Sequence, residues 1–266
     1  MERDELQQVI TGPRPRIVDL SGWELGEFPE YVTPECIIDF SRAHLIRSSF
    51  RSHRDVLRYA ILRNAQLAGA RLSGIRLTGA DLRSADMLTT QLNGANLLGC
   101  NMRGVVLDSA SLEGAQLLRA DLAQASLKAT RLRGADMRGV NLNDAVLDYA
   151  DLQSVDLSHA TLRQAKLKRA KITGAKLRYV DLSGADLREA VLRGTHFHGA
   201  SLVDADLRKA NMEGVKLAGA DLSGANLRGV RNLAWRELKN TTTKKTRGKR
   251  RILLFGFLMT PRRGSP

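Results

Sequence analysis

The residues of this 266-residue chain that could take part in chemistry are few and scattered. His196 and His198 stand two positions apart and could share a metal ion, with His159 upstream of them. No carboxylate or cysteine has the spacing to complete such a site. Nucleophile elbows, phosphate loops and zinc motifs are also absent from the sequence. We therefore predict no enzyme activity, no metal and no cofactor.

A cluster of basic residues is a stronger candidate for binding. No acid occurs between Asp156 and Asp181, and seven basic residues fall within that stretch. We expect this basic belt to contact an anion or phosphate, with a solvated face as the alternative. Little aromatic interleaving accompanies it, so sequence-specific binding of single-stranded nucleic acid gains no support. The belt comprises Arg163, Lys166, Lys168, Arg169, Lys171, Lys176 and Arg178.

The basic charge is concentrated at the C-terminus. The formal net charge is +14, and residues 231–266 alone contribute +10. Because residues 55–230 are nearly balanced, we expect a basic arm rather than a basic body, and an anionic partner. The N-terminal residues lack the apolar core of a signal peptide, and Cys36 and Cys100 are too few for a disulfide scaffold. We predict a cytoplasmic protein.

The last segment, 241–266, is polar and basic at first and apolar from 252 to 259. Eight apolar residues are too few to span a bilayer. The apolar part is expected to dock on a partner or on a second copy, which would form a homodimer. A packed cap is the next alternative, and an interfacial membrane contact is the least favoured. The tail residues assigned to binding are Lys244, Lys245, Arg247, Lys249, Arg250, Arg251, Phe255 and Phe257.

A repeat of five residues must position most of these side chains. From Asp55 to Gly229 there are 35 units, with Leu at the centre of 29 and Ala two residues earlier in 24. Residues two apart point to the same side of a strand, so both are predicted to face inward. Because five is odd, the chain must turn after each Leu to keep them there. Each unit is therefore one side of a closed polygon.

A longer period reveals the number of sides. Every fourth unit from Gly74 to Gly214 ends in Gly in seven of eight cases. Coils of four units are therefore predicted to stack. With neighbouring strands about 4.8 Å apart, nearly nine coils make a rod about 40 Å long.

One side of the predicted rod concentrates Asp and Asn at period twenty. A column of carboxylates could imitate a row of phosphates. The favoured alternative is that short polar side chains suit a tight ladder and that nearby arginines neutralise them. These arginines are Arg63, Arg83, Arg103 and Arg163. The carboxylates of the column are Asp81, Asp121, Asp181 and Asp221.

Units such as AQLAG, ADLRS, ANLLG, ADLSG and ANLRG resemble the pentapeptide-repeat family over about two thirds of the chain. The resemblance implies an all-β fold, a right-handed four-sided (quadrilateral) β-helix solenoid without a central channel. Some members, the quinolone-resistance branch, bind DNA gyrase by mimicking DNA with an acidic surface. This basic chain departs from that pattern.

Four segments follow from the repeat and its ends. Residues 1–54 are expected to form an N-terminal cap with degenerate repeats, and 55–230 the β-helix. Residues 231–240 are expected to form a C-terminal cap helix with Trp235 as a lid, followed by the tail at 241–266.

The predicted function is that of a non-catalytic scaffold. It would bind a macromolecular partner, expected to be a protein, through its rigid faces and basic arm. Gyrase binding by DNA mimicry is one alternative. Direct contact with nucleic acid or the ribosome through the belt and tail is another.

Overall fold

The computed structural model describes residues 17–19, 37–50, 55 and 57–247. Two short strands, β1 (Ile17–Asp19) and β2 (Ile37–Asp39), pair in parallel. From β2 onward the chain forms a ladder of parallel bridges between residues about twenty positions apart. On one side the ladder has twelve rungs, from Asp19 to Thr242. At about 4.8 Å per rung this side is about 50 Å long.

The backbone of each unit shows why the repeat produces this ladder. In the unit 185–189, Asp186 donates its backbone N–H to the coil before, and Leu187 and Glu189 donate to the coil after. The N–H of Ala185 closes the preceding turn by donating to the carbonyl of Leu182, at 3.0 Å. Within the unit, only the backbone N–H of the first turn residue donates to no backbone carbonyl. The chain thus turns after each Leu, as the odd period predicts.

The second turn residue of each unit lies in the left-handed region. Its φ is close to +60° in every one of the 35 units, and glycine supplies this conformation in 17 of them. A positive φ at this position is typical of a type II turn. Glycine adopts it without steric cost, whereas residues such as Tyr149 and Tyr179 adopt it because the coils above and below hold the turn.

The core is a column of aliphatic side chains. The central residue of every unit is at most 2% exposed, and so is the small residue two positions earlier in every unit after the first. Where Thr replaces the small residue, its hydroxyl donates to a backbone carbonyl of the coil before, as Thr90 does to Leu67 at 3.0 Å.

The four sides are named here by their outward strand positions. Face 1 runs from 61 to 221, face 2 from 66 to 226, face 3 from 71 to 231 and face 4 from 76 to 216, each in steps of twenty. The two turn residues between successive faces form a corner. The 2/3 corner, for example, includes 168 and 169, and the 4/1 corner includes 178 and 179.

The ladder extends beyond the segment predicted for it. Upstream, Asp39, His44 and Ser49 pair with residues 22 positions later, so two extra residues separate this coil from the regular run. Downstream, Thr242 and Arg247 pair with residues 21 positions earlier. Residues 241–247, predicted to belong to the tail, are therefore part of the ladder. One inserted residue shifts this coil out of the five-residue period, so the period does not reveal it.

The segment before that coil covers the end of the core. A 3-10 helix spans Trp235–Leu238. Leu238 is buried, and Leu233 packs against the core beside it. Trp235, expected to be the lid, is half-buried, and the ammonium of Lys239 lies 4.3 Å from the centre of its ring. Within the described residues, no helix is long and apolar enough to cross a membrane.

Candidate functional site

The Asp and Asn column of face 1 has a structural role. The ladder leaves the N–H of the first turn residue without a backbone acceptor, and the column supplies one. Asp121 accepts from Ala123 at 3.1 Å, and Asp221 accepts from Ser223 at 2.8 Å. The same bond recurs on the other faces, as at Asp186. This need explains why the repeat favours Asp and Asn at the strand position on every side.

Arginines neutralise three of the four column carboxylates, as predicted. Arg63 and Arg83 bind the carboxylate of Asp81 at 2.6 and 2.7 Å. Burial acts to raise the pKa of Asp81, but the hydrogen bonds from Arg83 and Arg63 outweigh it and lower the pKa to about 2. The other two pairs are Arg103 with Asp121 and Arg163 with Asp181. Among the described residues, Asp221 has no ion pair.

The basic belt encircles the rod and does not form one surface. Arg163 lies at the 1/2 corner, Lys171 on face 3 and Lys176 on face 4. Three of its side chains are held by acids of neighbouring coils. These pairs are Arg163 with Asp181, Arg169 with Glu189 and Lys176 with Asp156. The remaining four belt side chains, Lys166, Lys168, Lys171 and Arg178, form no ion pair within the described part of the chain. The belt is thus split among all sides of the rod, and five of its residues fall on two separate surfaces.

The first surface is the mixed-charge corner, defined as the outward residues of face 2 and the 2/3 corner from 166 to 229, together with Arg231. Eight basic side chains and three acids lie there. Arg188 binds Asp186 at 2.6 Å and lies 3.9 Å from Asp206, which Arg208 also binds. The five cations without an ion pair in the described part of the chain are Lys166, Lys168, Lys209, Arg228 and Arg231.

A shallow cleft lies within the mixed-charge corner. It has a volume of about 390 Å³ and is lined by Arg169, Glu189, Lys209, Gly229 and Arg231. The guanidinium of Arg169 binds Glu189 at 2.9 Å and holds the pKa of that carboxyl below its usual range. The cleft therefore keeps two cations, Lys209 and Arg231, facing solvent beside one internal ion pair.

The second surface is the acid-free strip, defined as the outward residues of 176–179, 196–199 and 216–219 on face 4 and the 4/1 corner. No acidic residue occurs on this strip. Its cations include Lys176 and Arg178 from the belt. The predicted histidine pair, His196 and His198, also lies here. Across the described residues, no three His, Cys, Asp or Glu side chains converge as metal ligands do.

The predicted tail residues are only partly described. Lys244 and Lys245 form the turn of the last coil, at the 1/2 corner, and Arg247 continues face 2 beyond Asn226. They extend the basic surface of the rod and do not belong to a separate arm. Lys249, Arg250, Arg251, Phe255 and Phe257 lie outside the described residues.

The cysteine that the structure describes has no accessible thiol. Cys100 occupies the small inward position and is 1% exposed. Its Sγ donates to the carbonyl of Leu77 at 2.8 Å, and burial raises its pKa to about 12. This thiol is therefore inert, as the sequence predicts for an inward residue.

Comparison with known proteins identifies the family. The family model for pentapeptide repeats matches residues 60–231 in eight copies. The chain belongs to the pentapeptide repeat family. The right-handed four-sided β-helix expected from the resemblance is thereby confirmed. Comparison with the curated proteins found no match.

Three solved pentapeptide repeat structures illustrate the similarity. HetL, involved in heterocyst differentiation regulation in the cyanobacterium Nostoc sp. strain PCC 7120, is 28% identical over 91% of this chain and 92% of its own, with a TM-score of 0.51. Rfr23 from the cyanobacterium Cyanothece 51142 is 38% identical over 36% of this chain and 63% of its own, with a TM-score of 0.31. QnrB1, a plasmid-mediated fluoroquinolone resistance protein, is 16% identical over 92% of this chain and 99% of its own, with a TM-score of 0.46. The similarity to HetL supports the fold, and the similarity to QnrB1 is too low to support a shared function.

Proposed function

We propose that this pentapeptide repeat protein is a non-catalytic, cytoplasmic scaffold that binds a protein partner through its mixed-charge corner. The observation that carries this proposal is that a central group of paired charges lies between unpaired cations along the corner, one coil apart. Within the described residues five cations there form no ion pair, and three acids stand between them. Such a surface complements a partner surface that also alternates in charge.

The acids at this corner favour a protein over duplex DNA as the partner. A nucleic acid backbone presents negative charge without interruption. Asp186, Glu189 and Asp206 would face that backbone and repel it. A protein surface can place its own cations opposite these acids and its carboxylates opposite Lys209, Arg228 and Arg231.

Photo-crosslinking in cells would test this proposal. A photoreactive amino acid at position 229, inside the cleft, should crosslink one protein with a mixed-charge surface. The variant Lys209→Glu/Arg228→Glu/Arg231→Glu should lose that product by at least about tenfold, because the introduced carboxylates would repel those of the partner. The matched control, Arg71→Glu/Arg119→Glu/Arg133→Glu, reverses three arginines elsewhere on the rod and should retain it. Equal crosslinking by both triple variants would refute the proposal.

The tail is proposed to extend this contact or to join two copies. A truncation at 240 would remove the rungs at Thr242 and Arg247 and so damage the solenoid itself. A truncation after Arg247 keeps every described rung of the ladder and removes only residues 248–266. Sedimentation of the 1–247 protein beside the full chain would show whether the tail forms a homodimer.

Gyrase binding is the second candidate, and one observation favours it. On face 1 and the 1/2 corner from 121 to 224, the outward residues include one base and five acids. The acids are Asp121, Asp144, Asp181, Asp204 and Asp221. Gyrase supercoiling with and without a quinolone tests this candidate. An unchanged supercoiling rate at a large excess of the protein would remove it.

A further inference from the structure

The acid-free strip carries an aromatic cluster that the linear sequence disperses. Tyr179 is 54% exposed, and its ring lies over Gly199, where a Cβ would come within 2.6 Å of the ring carbons. The ring of His159 stacks on Tyr179 with centroids 5.2 Å apart and planes 18° apart. His198 meets Tyr179 edge-on, with centroids 5.7 Å apart. Three successive coils thus place three rings together at the 4/1 corner.

The cluster holds its rings in place while leaving them accessible. Because Tyr179 is confined between His159 and the backbone of Gly199, binding would cost it little conformational freedom. His159, Tyr179 and His198 are all exposed. Fixed, exposed rings of this kind stack on nucleobases without regard to base identity.

Cations flank the rings without competing acids on the strip. Arg178 adjoins Tyr179, and Lys216 lies two coils above Lys176 along face 4. Among the described residues, neither Arg178 nor Lys216 forms an ion pair. Two of the nearest acids on the adjoining elements are engaged by cations: Asp156 binds Lys176 at 3.6 Å, and Asp181 is held by Arg163 at the opposite corner of face 1. Asp221, two residues beyond the end of the strip on face 1, forms no ion pair within the described residues.

We propose that the acid-free strip binds single-stranded nucleic acid, with bases stacked at the aromatic cluster and phosphates along Arg178 and Lys216. The exposed rings favour unpaired bases, since the bases of a duplex are already stacked on each other. The unpaired cations favour a phosphate backbone over a protein surface. This site is separate from the mixed-charge corner and does not depend on the partner proposed there.

Fluorescence anisotropy of the full chain with labelled oligonucleotides tests the proposal. The probes are oligouridine and oligodeoxythymidine of about 12 nucleotides, each beside a duplex of the same length, at about 50 mM salt. We expect at least one single strand to bind more tightly than either duplex. The preference between the two strands distinguishes an RNA site from a DNA site. Binding of the duplexes alone, or no binding, would overturn the proposal.

Substitutions of two tyrosines test whether the single strand binds at the strip. Tyr179→Ala should weaken single-strand binding about tenfold, because stacking contributes about 1–3 kcal/mol per base, and Tyr179→Phe should retain it. Tyr59→Ala is the matched control, since Tyr59 lies in the same column, over Gly79, at the same exposure but without neighbouring histidines. An equal loss in Tyr59→Ala and Tyr179→Ala would contradict the site.

Charge reversal on the strip tests the phosphate contacts independently, through the salt dependence of binding. Arg178→Glu/Lys216→Glu should reduce the slope of log affinity against log salt by about 1.4, since each lost phosphate contact contributes about 0.7 for a single strand. The triple variant of the mixed-charge corner should bind single strands as the wild type does. If that triple variant alone lost binding, the nucleic acid contact would belong to the mixed-charge corner, and the proposal for the strip would be wrong.

Discussion

The mixed-charge corner and the acid-free strip lie on the same coils of one solenoid, and both carry an excess of basic side chains. At the corner, acids such as Asp186 and Asp206 bind Arg188 and Arg208, so much of the positive charge is engaged within the chain. On the strip, cations and aromatic rings occur without any acid. Net charge therefore describes the two surfaces poorly. What distinguishes them is whether each cation has an acid beside it, in its own unit or one coil away.

The difference shows how a repeat with identical backbone units acquires specific surfaces. The ladder requires an inward aliphatic residue, a small residue and an acceptor for one turn N–H. It places few demands on the two turn residues, apart from a left-handed conformation at the second. Contacts between residues 2 or 18 to 20 positions apart then determine the character of each corner.

The largest expected effect concerns what the two surfaces share, the core beneath them. Leu207 lies inside the mixed-charge corner and Phe197 inside the strip, and both are fully buried. Leu207→Ala and Phe197→Ala should each lower the free energy of unfolding by about 3–4 kcal/mol, through lost burial and the cavity created. Urea unfolding of both variants measures this. A cost below about 1 kcal/mol at either site would show that the two surfaces do not rest on one continuous core.

The next prediction concerns arginine-bound carboxylates, which the strip lacks. The pKa of Asp81 is about 2, below its ordinary value, so its ionised form stabilises the fold above pH 4 and this contribution is lost as the pH falls through about 2. The Asp81→Asn variant should be about 2 kcal/mol less stable than the wild type at neutral pH. Unfolding measured from pH 6 to pH 2 should show this difference shrinking.

A control separates the ion pairs of Asp81 from a general effect of removing an acid. Asp144 lies at the 1/2 corner and forms no ion pair within the described part of the chain. Asp144→Asn should leave stability nearly unchanged across the same pH range. A pH-independent deficit in Asp81→Asn would attribute its role to packing.

A third prediction concerns a variant in which the mixed-charge corner, like the strip, carries no acid. Asp186→Asn/Glu189→Gln/Asp206→Asn removes the acids of the mixed-charge corner while keeping the side-chain acceptors that the turns need. The released arginines should raise affinity for duplex DNA about tenfold at low salt and steepen its salt dependence. Gel shifts across a salt series measure both. An unchanged affinity would show that the acids at this corner do not determine which partner it binds.

The smallest expected effect tests the packing of the aromatic cluster. Gly99 and Gly199 occupy the same column with positive φ, but a Cβ at 99 meets nothing within 4 Å, whereas one at 199 meets the ring of Tyr179. Gly99→Ala should cost about 1 kcal/mol, and Gly199→Ala about 1 kcal/mol more because the ring must move. The difference should vanish when Tyr179→Ala is present in both proteins, as thermal unfolding would show.

The repeat sufficed to predict the fold, and even the pairing of Arg63 and Arg83 with Asp81, because these follow from periods five and twenty. The degenerate repeats expected within 1–54 are present as the coil at Asp39, His44 and Ser49, whereas the inserted residue after 231 breaks both periods, so the coil at Thr242 and Arg247 could not be predicted from them. The aromatic cluster was also missed. Aromatic residues are sparse among the basic residues along the linear sequence, and His159 and Tyr179 meet only after a full coil.

The regular spacing of the ladder also has a mechanical consequence. Most of its hydrogen bonds join residues about twenty positions apart, one coil to the next. If the chain were pulled from its ends, we expect the rod to open one coil at a time, and each event to release about twenty residues, roughly 65–70 Å of extended chain. Force would thus lengthen this protein in nearly equal steps of one coil each.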